Sequence, residues 1–128
     1  MFRLERQAMM TTLLPETTAA DRLGTMSAEL KLLADPTRLR IFDLLMQGVQ
    51  CNCEIGDALG LSPNLISHHL GALRRAGLVD VERDQSDARW LYYSVNQTVL
   101  QEFRAVIDSF LDPARIEARQ PSCGPARP

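Results

Sequence analysis

Two of the chain's three cysteines, Cys51 and Cys53, stand one residue apart in the stretch QCNCEI, and the third, Cys123, lies in the terminal QPSCGPARP. Neighbouring thiols suit one chemistry above others: soft thiolates capture soft, thiophilic ions in preference to hard ones. A thiol at a helix N-terminus also has its thiolate favoured by the helix dipole and the free N–H groups there. Polar Gln50, Asn52 and Glu54 surround the pair, an odd setting for small core residues, although free cysteine is often buried. Residues i and i+2 of an α-helix point about 200° apart. Both sulfurs can hold one atom only where the first turn departs from regular helix. Cys123 is either a further ligand or an inert exposed thiol. A cysteine-nucleophile enzyme would need a base beside the thiol, and both histidines, His68 and His69, fall on a different element with no evident partner.

The 128 residues suit one domain with a hydrophobic core. No apolar run approaches the roughly 20 residues that span a bilayer. The N-terminus MFRLERQAMM lacks a secretory apolar stretch, so a cytoplasmic protein with no membrane association is expected. An odd cysteine count in a reducing compartment argues against a disulfide framework. Net charge is only −2, which does not by itself suggest nucleic acid. Of the 14 basic residues, however, Lys31 is the sole lysine. Arginine suits bidentate contacts to phosphate, bases and carboxylates, although GC-rich coding would give the same bias.

The elements that must position the thiols are well punctuated. Leu23, Met26, Leu30 and Leu33 follow the spacing of an amphipathic helix. Asp35-Pro36 is a helix start, after which Leu39, Ile41, Phe42, Leu44 and Leu45 form an apolar face that Gly48 ends. A short helix is expected from about Cys53 to Leu59, closed by Gly60. Ser62-Pro63 opens a longer helix through Leu65, Ile66, His69, Leu70 and Leu73, stopped by Gly77. The alternation of Leu78–Arg83 and the aromatic, β-branched run Arg89–Val95 predict an antiparallel hairpin, turned by Asp84–Asp87. Leu100, Phe103, Val106, Ile107, Phe110 and Leu111 make a last amphipathic helix, broken at Asp112-Pro113. Phe2, Met9, Met10, Leu13 and Leu14 predict a further helix before Pro15. Residues 1–112 are expected to form one domain, and 113–128 a flexible tail carrying Cys123.

A short helix, a tight turn at Gly60-Leu61 and a longer helix make a helix-turn-helix, and the following hairpin makes a wing. The fold expected is therefore mainly α with a small β-hairpin. In such a unit the second helix enters the major groove by its N-terminal part. Here that part carries Ser62, Pro63, Asn64, Ser67 and His68. Asn pairs bidentately with adenine, and Ser serves base or phosphate. Ser62 caps its helix first and touches DNA second. His68 faces outward, towards DNA or water. His69 falls on the apolar side, and adjacent histidines on a helix diverge by about 100°, too far to chelate one ion together. Arg74 and Arg75 are either contacts or solvated charges. Arg83 and Arg89 flank the wing turn, within reach of phosphates or the minor groove.

With the stretches LKLLADPTRLRIFDLL, CNCEIGDALGLSPNLISHHLGALRRAGLVDVERD and ARWLYYSV in view, the sequence resembles the arsenic-repressor (ArsR/SmtB) family of winged-helix transcription factors over roughly residues 28 to 95. The resemblance implies a homodimeric repressor that binds double-stranded operator DNA and leaves it when an inducer binds, with no cofactor required. It also implies a dimer contact through the first and last helices. In many arsenic-sensing members ELCVCDL stands where this chain has VQCNCEI, so Cys51 and Cys53 match its two cysteines. A third cysteine found three residues further on in some members is Gly56 here. The implied inducer is As(III) or Sb(III), a methylated arsenical, or a soft divalent metal such as cadmium or lead. Trivalent arsenic forms three bonds, and Cys123 is the one remaining thiol; about ten residues of tail beyond Pro113 could span on the order of 30 Å. A thiol redox switch of the same fold is the alternative. A zinc sensor of this family would need histidines on the last helix, which carries Asp108 and is followed by Asp112, with none.

Overall fold

The computed structural model describes residues 18–125. The helix expected around Phe2, Met9, Met10, Leu13 and Leu14 lies outside the described residues. The elements run α1 (Ala19–Leu33), α2 (Pro36–Met46), β1 (Gln50–Cys51), α3 (Asn52–Leu59), α4 (Pro63–Arg75), β2 (Val79–Arg83), β3 (Leu91–Val95) and α5 (Gln97–Phe110), then a 3-10 turn at Pro113–Arg115. Residues 116–125 carry no helix or strand and lie exposed. Among the described residues no helix is long and apolar enough to cross a membrane.

α1, α2, α4 and α5 begin where a side chain satisfies otherwise unpaired N–H groups of the first turn. The Asp35 carboxylate accepts from Thr37 and Arg38 N–H at 2.9 and 3.0 Å, and these bonds hold it below the usual carboxylate range. Ser62 Oγ accepts from Leu65 N–H at 3.3 Å. Asn96 Oδ1 accepts from Val99 N–H at 3.0 Å, while its amide nitrogen reaches the Asp80 carboxylate on β2. Pro36 and Pro63 open α2 and α4, where the missing N–H costs nothing.

The core is one cluster: Ile41, Phe42 and Leu45 of α2, Ile55 of α3, Ile66, Leu70 and Leu73 of α4, then Leu78, Val79 and Tyr93. Leu39, expected on the apolar face of α2, is instead 51% exposed, because it lies on the side of the helix turned away from α4 and the sheet. The predicted hairpin forms, with Val79 opposite Val95 and Arg83 opposite Leu91. It is widened by a strand too short to show in the sequence. β1 adds to the free edge of β3, giving the antiparallel order β1-β3-β2. α3 begins at Asn52, one residue earlier than expected.

Leu73 is fully buried in the last turn of α4. Leu73→Ala should lower unfolding free energy by about 2–5 kcal/mol, read from denaturant unfolding followed by circular dichroism.

Candidate nucleic-acid interface and thiol pair

The two faces of α4 divide cleanly. Ile66, His69, Leu70 and Leu73 are buried, while Asn64, Ser67, His68, Arg74 and Arg75 are exposed. The exposed set recurs at spacings of three and four, so it lies along one side of the helix. Ser62 and Pro63, also exposed, stand at the N-terminal end of that side. His69 is 7% exposed, a packed histidine as expected, and its Nδ1 has no hydrogen-bond partner among the described residues. Its ring meets that of His68 edge-on, with centroids 5.3 Å apart.

What aims this face outward is the close seating of α3 on α4. Gly60 takes φ +65°, the left-handed conformation that lets α3 stop and the chain turn. Gly56 leaves little room for a side chain: a Cβ there would sit 3.1 Å from Ile66 Cδ1 and 3.4 Å from the Leu61 carbonyl. This is the position at which some arsenic sensors carry a third cysteine. In this chain it is used for helix packing.

The wing turn is built on Asp84, whose Oδ2 accepts from Ser86 N–H, Ser86 Oγ and Asp87 N–H. Arg83 and Arg89, read from sequence as free to reach DNA, are both engaged within the turn. Arg83 Nη1 donates to the Ala88 carbonyl. Arg89 grips Asp87 through two charge-assisted bonds of 3.0 and 2.8 Å, which hold the Asp87 carboxyl low. Both arginines lie on the surface, so they brace the wing and add positive charge to it.

The two thiols lie in unlike surroundings. Cys51 ends β1 opposite Tyr92, caps α3 in an extended conformation (φ −82°, ψ 162°) and is only 6% exposed. Cys53, two residues on, is exposed. Cys51 thus stands before the helix, in extended backbone, and Cys53 within its first turn. The expected favouring of the Cys51 thiolate is absent. Burial, and then the neighbouring Glu54 carboxylate, push the Cys51 thiol above its ordinary value. Its backbone N–H donates to Glu54 Oε1 at 3.0 Å. Cys123 is exposed in the tail, its carbonyl accepting from Arg119 Nη2 at 2.7 Å. Among the described residues no group of three or more His, Cys, Asp or Glu side chains is placed to hold a metal ion. One chain by itself thus does not bring Cys123 to Cys51 and Cys53.

Sequence reasoning missed Asn52, between the thiols, whose Oδ1 accepts from Leu91 N–H at 3.5 Å and so ties the start of α3 to β3. The only signal for it was its polarity beside the cysteines.

The burial difference sets a difference in reactivity. In reducing buffer near neutral pH, iodoacetamide should alkylate Cys53 roughly tenfold or more faster than Cys51. The Cys51 rate should climb as pH rises, because its raised pKa leaves little thiolate at neutral pH. Peptide mass spectrometry of timed samples reads both rates.

The geometry agrees with three comparisons. The family model for bacterial regulatory proteins of the arsR family matches residues 35–81. The chain is 39% identical over 72 residues to the transcriptional repressor SdpR of Bacillus subtilis (strain 168), spanning 56% of this chain and 77% of that protein. It is 39% identical over 83 residues to the arsenic resistance transcriptional regulator ArsR1 of Pseudomonas putida, 64% of this chain and 62% of that one. A crystal structure described as "Possible transcriptional regulator for arsenical resistance" shares the fold at a TM-score of 0.56 and 37% identity, over 63% of this chain and 81% of that one. With fold and sequence pointing the same way, the chain belongs to the ArsR family of bacterial transcriptional regulators and is not an enzyme.

Proposed function

We propose that the protein is a homodimeric repressor that releases operator DNA when Cys51 and Cys53 capture a trivalent arsenical or antimonial. The observation that carries this reading is where the pair sits. Cys51 caps α3 and Cys53 lies in its first turn, and α3 packs directly on the groove-reading helix α4. Two soft thiol donors fit such an element, and hard cations would leave them. Each thiol exchanges its S–H bond for an S–As bond, its proton leaving with an arsenic-bound hydroxyl as water. Two such bonds leave the third arsenic position to a hydroxyl, a carbon substituent or Cys123 of either subunit. Cadmium or lead would meet the same two donors.

On DNA, Asn64, Ser67 and His68 are the base-facing set, with Ser62, Pro63 and Arg74 near the backbone and Arg83 and Arg89 on the wing. The dimer reading rests on apolar surface that the described residues leave uncovered. α5 has no fully buried residue. Leu23 and Leu30 of α1 are each 46% exposed, and Phe110 of α5 is 41% exposed. A groove of about 420 Å³ runs between the two helices, lined by Met26, Val106 and Phe110 among others. A second copy packed by two-fold symmetry covers both faces and sets two α4 helices on one side, matched to half-sites about 34 Å apart. Residues 113–128 are then an arm that carries Cys123 near either subunit.

In reducing buffer, arsenite should weaken operator binding by about 150-fold if the two sites are coupled by roughly 3 kcal/mol. Cys51→Ser and Cys53→Ser should bind the operator normally and lose the response, read by fluorescence anisotropy. A double variant that still released DNA would end the thiol-pair reading, and release that required an oxidant would favour a redox switch. Cys123→Ser reports whether the tail supplies a ligand. Val106→Asp should yield a monomer in analytical ultracentrifugation and weaken operator binding by about 100-fold or more, since the two half-sites would no longer be bound together.

A further inference from the structure

We propose that the thiol pair acts on the wing through β1; this rests on the reading of Cys51 and Cys53 as the inducer site and adds the route by which the signal leaves it. Cys51 holds two posts at once. It is the cap of α3, and it is half of a two-residue strand, with Gln50 opposite Tyr93 and Cys51 opposite Tyr92. β3 is the middle strand, paired with β1 on one side and with β2 on the other. Cys51 is turned into the protein and Cys53 is out in solvent. For both sulfurs to bond one atom, one of them must move. Inward movement of Cys53 would need room in a core where Ile55, two residues on, is already fully buried. Outward movement of Cys51 needs only that the end of β1 leave β3.

A strand of two residues cannot give up one pair and keep its register, because nothing beyond it holds the ladder. Release of Cys51 therefore frees the whole outer edge of β3. The same movement turns the first residues of α3 and so draws Asn52 away from Leu91 N–H, a bond already long at 3.5 Å. Leu91 is the first residue of β3 and pairs with Arg83, the last residue of β2 before the turn. Loss of its support loosens the turn end of the wing, where Arg83 and Arg89 are braced. Contact between Gly56 and Ile66 carries any disturbance of α3 to α4 from a full turn further along the helix. The β1 link is the shorter path. It also has a built-in reporter: Trp90, the chain's single tryptophan, precedes β3 and is 39% exposed.

The test uses the whole chain without DNA, in reducing buffer, with phenylarsine oxide as the probe of paired thiols. Binding is scored separately as the loss of two titratable thiols in Cys123→Ser. Hydrogen exchange by mass spectrometry and Trp90 emission then read the wing. The expected result is about tenfold faster exchange in the peptide covering Leu91–Val95, with a shifted Trp90 emission. Neither should occur in Cys51→Ser, which keeps a small side chain suited to a helix cap. If two thiols are consumed and Leu91–Val95 exchanges as before, the wing link is wrong while the thiol pair stands. If no thiols are consumed, the site and the link both fall.

Discussion

The seating of α3 against α4 is the contact on which the rest depends. At Gly56 the two helices come so close that an added methyl would press on Ile66 Cδ1 at 3.1 Å and touch the Leu61 carbonyl at 3.4 Å. Such closeness fixes the angle between the helices, and Gly60 supplies the left-handed turn that reaches it. Behind the contact, Ile55, Ile66, Leu70 and Leu73 are removed from water. Interior packing thereby decides what faces out, because burying Ile66, His69 and Leu73 obliges Asn64, Ser67 and His68 onto the opposite side. A small shift in α3 cannot be absorbed by a packed interface of this kind and must appear as movement of α4 or of the sheet.

Cys51 shows two effects in competition. A helix N-terminus favours a thiolate by roughly 0.3–1 kcal/mol at an exposed site. Removing a charged group from water opposes it with a penalty that can reach several pKa units for a fully buried group. At 6% exposure burial wins, and the Glu54 carboxylate adds to it, so the thiol is held protonated. The pair is consequently one accessible thiol backed by one guarded thiol. An atom able to form more than one bond to sulfur gains most from drawing out the second, which ties ligand chemistry to a change of shape.

Among the described residues, nothing covers much of the apolar surface of α1 and α5. Met26 is the single buried residue of α1, and α5 buries none completely. Amphipathic spacing along both helices was plain in the sequence, and both helices form. Which surface would cover them is outside what a single chain's pattern can specify.

Local chemistry was legible because it acts between residues close in sequence. Asp35-Pro36, Ser62-Pro63, Gly60 and Gly77 mark helix ends through hydrogen bonds and backbone angles spanning three or four residues, and each stands where it was expected. The alternation of Leu78–Arg83 announced a strand for the same reason. β1 was not legible: two residues carry no period, and Gln50-Cys51 is a strand only because β3, about forty residues later, offers a free edge. Burial of Cys51, exposure of Leu39 and the capture of Arg83 and Arg89 within the wing likewise depend on partners brought together by folding. Residues near one another along the chain were thus enough to mark the described helices from α1 to α5, the hairpin and the paired thiols. That one thiol faces inward, joined to the wing, and the other outward follows from folding, because desolvation and strand pairing are set by neighbours distant along the chain.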